Sequence, residues 1–232
     1  MGTLVSYQLE DSIATITMDD GKVNVLSPRM LAELGLALDR AVADRAVVVL
    51  TGRPGKFSAG FDLLVLRAGG DASSRMVRAG FELAARIMAF PAPVLIACTG
   101  HAVAMGAFLL LSGDYRIGAA GPYKITANEV ALGITMPHAA IEICRQRLNP
   151  AHLTRAVALA EVFLPDGALA AGFLDRVVAE ADLADAAWST AAEMASLDAA
   201  AHAATKLRVR AHALAAILTA IDADAAALQP SA

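Results

Sequence analysis

Cysteine is scarce: Cys98 and Cys144 are the only two in 232 residues. Both lie in apolar runs and neither belongs to a metal-spaced pair, so a disulfide scaffold and a cysteine metal site are excluded; both read as buried, reduced thiols. No stretch of Lys and Arg is concentrated enough to make a nucleic-acid face. The formal net charge of −4 still leaves room for an anionic small ligand, which needs only a few local cations. The apolar runs are broken by Pro, Gly or charge before the roughly 18 residues that a membrane-crossing helix requires. The start, Met1 to Tyr7, lacks the basic-then-apolar layout of a signal peptide, and a cytoplasmic location is expected. No internal repeat is visible from pattern alone. What the chain has in quantity is apolar residues, 57% against 18% charged, with much alanine, which favours helices. The length fits one domain, or one domain with a helical appendage.

Leu4–Glu10 and Ile13–Met18 alternate and are rich in β-branched residues, with Asp11-Ser12 between them, which predicts a hairpin. Ser27-Pro28 reads as an N-cap followed by proline at the first helical position, opening a helix to about Ala43. Ala46–Gly52 reads as a buried strand, and strand, helix, strand in this order predict a crossover unit. Residues 68–74 read as a Gly-rich loop and about 75–89 as a helix, broken by Phe90-Pro91-Ala92-Pro93. Pro93–Cys98 is strand-like, Thr99–Ala107 a small-residue turn, and Phe108–Leu111 helical. Short strands are predicted at 115–118, 123–126 and 177–178, helices over 141–148, 151–159 and 165–171, and alanine-rich helix from about 183 onward.

The stretch Phe57-Ser58-Ala59-Gly60-Phe61-Asp62-Leu63 sits where a strand hands over to a helix. Helix starts carry backbone N–H groups without an intrahelical partner, and these can hold an anion. Thr99–Ala107 has the same grammar, so two corners could aim two N–H groups at one oxygen, as an oxyanion hole needs. These two stretches, with Gly113-Asp114-Tyr115-Arg116-Ile117 and Asn128-Glu129-Val130-Ala131-Leu132-Gly133-Ile134, resemble the crotonase (enoyl-CoA hydratase/isomerase) superfamily. The resemblance implies an α/β fold, a spiral of ββα turns over residues 1–180, with a C-terminal helical region over 181–232 that packs at trimer interfaces. A homotrimer or hexamer is the expectation.

By motif position the resemblance assigns the backbone N–H groups of Phe61 and Met105 as oxyanion donors and Glu129 as the acid/base. Met105 stands where the family often has glycine, so its side chain is expected to narrow the acyl pocket or shift the turn. Glu129 lies in an apolar segment with no neighbouring cation, a setting that raises a carboxyl pKa toward the range of proton transfer. Phe108 occupies the position of the second glutamate of the family's hydratases. One carboxylate suffices to move a proton from C2 to C4 of a 3-enoyl thioester, so isomerisation is favoured over efficient hydration. A catalytically silent acyl-CoA-binding protein and a thioester hydrolase stay open. For coenzyme A, which arrives as part of the substrate and not as a separate cofactor, the resemblance points to Lys22, Lys56, the Ala59 carbonyl and Lys206. Asp62 reads as a helix cap, Asp114 as structural, and Glu142 with Arg145 as a surface pair. His101 and His138 could each reach the pocket. Ser58 lacks the Gly-x-Ser-x-Gly elbow of a hydrolase and reads as a turn-shaping residue.

Overall fold

A computed structural model describes residues 2–227; the last five residues of the expected C-terminal helical region lie outside the described residues. The hairpin forms as expected, β1 (Val5–Glu10) against β2 (Ile13–Met18). The chain then runs through β3 (Val25–Leu26), α1 (Pro28–Ala43) and β4 (Val47–Thr51). The first corner holds β5 (Gly55–Ser58), β6 (Gly60–Phe61) and α2 (Leu63–Ala68), and α3 (Gly70–Met88) follows. The second is built from β7 (Val94–Cys98), β8 (Gly100–Val103) and α4 (Met105–Leu111), after which come β9 (Tyr115–Ala119) and β10 (Ile125–Thr126). Helices α5 (His138–Arg145), α6 (Pro150–Val157) and α7 (Pro165–Ala171), strand β11 (Arg176–Val178), and helices α8 (Leu183–Ala195) and α9 (Ala199–Ala227) complete the order.

Each turn of the spiral lays one long strand into a six-stranded sheet of order β1-β2-β4-β7-β9-β11, parallel except for the hairpin. A short strand from each turn then enters one of two small parallel sheets, β10-β8-β5 and β3-β6. The main sheet is covered on both faces. Val48, Leu50, Val94 and Ile96 face α1, α3 and α4, while Val47, Val49, Leu95 and Ala97 face Leu183, Ala187 and Ala191 of α8. A strand buried on both sides needs an unbroken apolar run, which is why β4 and β7 read so plainly in the sequence.

Local caps follow the sequence where they are local. Ser27 Oγ accepts from the Met30 N–H, Pro28 opens α1, and Gly172 ends α7 at φ 94°. Two expectations fail. The Gly-rich segment 68–74 is helical from Gly70: the positive φ of Gly69 and Gly70 makes a break only one step long, and Asp71 complements the new N-terminus. The small-residue turn 99–107 contains β8, whose backbone pairs with β5 and β10.

Asp114 ties the C-terminal helix to this frame. Its carboxylate accepts from the Val94 N–H at 2.7 Å, from Lys206 Nζ at 2.6 Å, and pairs with Arg210 at 3.0 Å. Lys206 also donates to the Ala92 carbonyl, and Arg210 to the carbonyls of Met88 and Gly113 near the ends of α3 and α4. Those carbonyls carry the negative end of the helix dipole, so they help hold two cations on one carboxylate. Burial, opposed in part by Asp114, brings the Lys206 ammonium down to about 8. Removing one partner of such a cluster strands buried charge. Asp114→Asn is expected to lower stability by about 3–5 kcal/mol in urea unfolding, and by more than Lys206→Met, which leaves the Arg210 pair in place.

Candidate active site

The two corners touch through backbone. A Cβ on Gly60 would sit 2.9 Å from the Val103 carbonyl oxygen and 3.2 Å from the Met105 nitrogen, and Gly60 has φ 85°. Only glycine meets both conditions. A Cβ on Gly106 would lie 2.4 Å from the Ser58 carbonyl oxygen. Between them Ala104 is held at φ 52°, ψ −125°, a conformation that side chains rarely adopt. Its carbonyl accepts from Ala107 and Phe108 as α4 begins. Met105 and Gly106 stand at the first two positions of that helix, where N–H groups have no intrahelical acceptor.

In front of these corners lies a cavity of about 740 Å³. Its walls come from α2 (Leu63, Leu66), α3 (Ser73, Val77, Phe81), the α4 corner (Val103, Ala104, Phe108) and the segment from Asn128 to His138, and Ala59 and Phe61 line it as well. Phe81 meets Phe61 edge-on at 6.1 Å and stacks with Phe108 at 6.2 Å, making an aromatic wall. No lysine or arginine lines the cavity among the described residues.

Glu129 projects from the turn that follows β10. It is 9% exposed, and its Oε2 is buried with no hydrogen-bond partner. Its own carbonyl accepts from the N–H groups of Leu132 and Ile134, which fixes the turn. Burial pushes its carboxyl up to about 7 from an ordinary 4.5, with no cation nearby to oppose the shift. Cys144, buried on α5, has its thiol raised by burial and then by the Glu129 charge, and Cys98 is raised to about 12 by burial. Both cysteines are free and buried, as the sequence suggests.

The structure thus brings Phe61, Ala59 and Glu129 around one cavity, with the Met105 amide behind Gly60. The Met105 side chain is 1% exposed and does not line the cavity; its Cγ lies 3.6 Å from a Cβ built on Gly80, so it fills the core and does not narrow the pocket. Lys22 is exposed in its turn and Lys56 half-buried on β5, and neither lines the cavity. Lys206 is corrected: it is buried and bound to Asp114, in a cleft separate from the cavity, not a free lysine awaiting a phosphate. Asp62 caps α2 at 2.9 Å from the Leu64 nitrogen, and Glu142 pairs with Arg145 at 3.3 Å. His101 Nδ1 accepts from the Lys124 N–H outside the cavity, and burial, with Lys56 and Lys124, lowers its pKa. His138 does line the cavity. Ser58 is 1% exposed, its hydroxyl committed to the Asn24 carbonyl oxygen.

Sequence reasoning missed Asp224. From α9 its carboxylate accepts from the N–H groups of His138 and Ala139, both at 2.9 Å, capping α5 and lining the cavity. Pro137 precedes α5 and supplies no side-chain cap, so the missing local signal was the only hint that a cap arrives from elsewhere.

Comparison with known proteins identifies the family of this fold. A family model described as enoyl-CoA hydratase/isomerase matches residues 8–230. The crystal structure of an enoyl-CoA hydratase/isomerase family protein from Pseudomonas syringae superposes with TM-score 0.96, 48% identity, and coverage of 97% of this chain and 98% of that one. The apo structure of an enoyl-CoA isomerase of Mycobacterium tuberculosis gives 0.94, 50%, 97% and 99%. Human mitochondrial enoyl-CoA delta isomerase 1 is 31% identical over 95% of this chain and 75% of its own length. The chain spans 63% of the length of the rat counterpart. With the motifs, the spiral and the matched length in agreement, the chain belongs to the enoyl-CoA hydratase/isomerase family of the crotonase superfamily.

Proposed function

We propose that the protein is an enoyl-CoA isomerase that moves the double bond of a 3-enoyl-CoA thioester to the 2-position. The observation that carries this reading is that one carboxyl of the cavity has no partner among the described residues: Glu129 is desolvated with a free Oε2, Asp224 is taken up as the cap of α5, and Phe108 stands where, by the family resemblance, a hydratase carries its second acid. The name of the human relative, an enoyl-CoA delta isomerase, supports the same choice, whereas the Mycobacterium tuberculosis protein carries both isomerase and hydratase names.

The thioester carbonyl oxygen lies toward the amides of Phe61 and Met105. Glu129 takes a proton from C2, the electrons spread over C2 to C4 with charge on the carbonyl oxygen, and the same carboxyl returns the proton at C4. A carboxyl near 7 suits both halves, because it is ionised often enough to abstract and acidic enough to give the proton back. The apolar walls keep water from the dienolate. Lys22, in the turn before β3, and Lys56, on β5, are assigned to the polyanionic end of coenzyme A, with the Ala59 carbonyl for the adenine. Self-association as a trimer would use the outer side of α9, since its other side lies on α3 and α5, and Leu207, Val209 and Leu218 are exposed.

Glu129→Gln is expected to lower isomerase turnover by about 10²–10⁴-fold while acyl-CoA binding persists; full activity would remove Glu129 from the mechanism. In the wild type kcat/KM should rise with pH through an apparent pKa near 7 as the base ionises. Stability should run the other way. Between 4.5 and 7 the folded protein holds this proton more tightly than the unfolded chain, so stability falls as pH rises through that window. Above it the buried charge costs up to about 3 kcal/mol. Glu129→Gln should therefore melt higher than wild type at pH 8 and lose that advantage in acid. Phe108→Glu should raise hydration of a 2-enoyl-CoA relative to isomerisation, with a lower melting temperature from the added buried carboxyl; an unchanged ratio would mean that position 108 does not separate the two reactions.

A further inference from the structure

Ser58 lies between the two corners and touches both. Its hydroxyl accepts from the Gly60 N–H at 3.2 Å, inside the first corner. Its Cβ and carbonyl oxygen lie 2.9 and 2.4 Å from the place a Cβ on Gly106 would take, at the start of α4 in the second. The same hydroxyl donates to the Asn24 carbonyl at 2.7 Å. Asn24 is itself fully buried, at φ 55°. Its side-chain amide donates to the carbonyls of Met18, Lys56 and Phe57 at 2.9–3.2 Å, and its Oδ1 accepts from the Asp20 N–H at 3.0 Å. The hydroxyl therefore links a rigid knot of main chain to the residue before Phe61.

We infer that Ser58, anchored by Asn24, is a positioning residue that sets the spacing of the Phe61 and Met105 amides across the thioester oxygen. The inference rests on the acyl-CoA reading of the site. Loss of the hydroxyl frees the Gly60 peptide to rotate, and the Phe61 N–H belongs to the next peptide along. A donor that drifts by a fraction of an ångström loses most of its value for a charge that develops only in the transition state, while ground-state binding is hardly touched. Ser58→Ala removes the tether but keeps the Cβ that packs on Gly106.

The test is the infrared carbonyl band of a 2-enoyl-CoA labelled with carbon-13 at the thioester carbonyl, recorded bound to wild type and to Ser58→Ala, beside steady-state kinetics on a 3-enoyl-CoA. The wild-type band should lie below its free position. In Ser58→Ala it should move back toward the free value, with kcat lower by about tenfold or more, KM changed by less than about threefold, and the Glu129 limb of the pH profile in place. A band that stays put in Ser58→Ala overturns the inference, whatever happens to stability. A wild-type protein that leaves the band unshifted overturns the acyl-CoA reading itself. Should Ser58→Ala fold poorly, Asn24→Gly, which suits φ 55°, is expected to move the band the same way, and an unmoved band there counts against the inference equally.

Discussion

The site depends on one close approach: two strand-to-helix corners, far apart in sequence, meet through backbone at Gly60 and Gly106. Gly60 and Gly106 permit this, and any Cβ at either place would strike main-chain atoms of the opposite corner. The approach in turn holds Ala104 in its uncommon conformation just before α4 begins. Such strain persists only where the surroundings over-determine it. Here they do, through the Ala104 N–H to Thr126 and the parallel pairing of β8 with both β5 and β10.

Electrostatics then decide what the corners can serve. The cavity is mostly apolar, carries no lysine or arginine among its described lining residues, and leaves one oxygen of Glu129 without a partner among them. A carboxylate so placed is costly to ionise, and that cost is what raises its pKa into the range where it can exchange a proton with carbon. The aromatic wall of Phe61, Phe81 and Phe108 adds to the apolar surroundings of Glu129. The burial of Glu129 and its raised pKa thus have a common cause.

Much of this could be read from the residues. Strands β4 and β7 announce themselves because burial on both faces demands continuous apolar sequence, and α1 because its cap and proline are local. Gly60 could be picked out as a corner, and Glu129 as a candidate acid through the family resemblance of its motif, since an isolated glutamate read alone is more often solvated. The failures are contacts made at long range. The resemblance assigns Lys206 to coenzyme A because Asp114, 92 residues away, is invisible as its partner in sequence. Residues 68–74 looked like loop because two glycines outweigh propensity locally, whereas burial of Met76 and Phe81 carries the helix back to Gly70. β8 was hidden among small residues because strand pairing, not side-chain pattern, defines it.

The C-terminal helix bears on the site at one remove. Through Lys206 and Arg210 it is bound to Asp114, which also holds the start of β7 by the Val94 N–H. Some fourteen residues further on, its Asp224 supplies the cap that α5 lacks, and α5 begins at His138 on the cavity wall. One helix therefore fixes both the strand that leads into the second corner and the segment that carries the wall opposite it. A carboxylate capping a helix N-terminus is favoured by the dipole, and Asp224 meets two N–H groups there, whereas Glu129 Oε2 has no hydrogen-bond partner among the described residues. Two carboxyl groups on one cavity are thus held in opposite ways, one by the N–H groups it caps and the other by an apolar burial that raises its pKa.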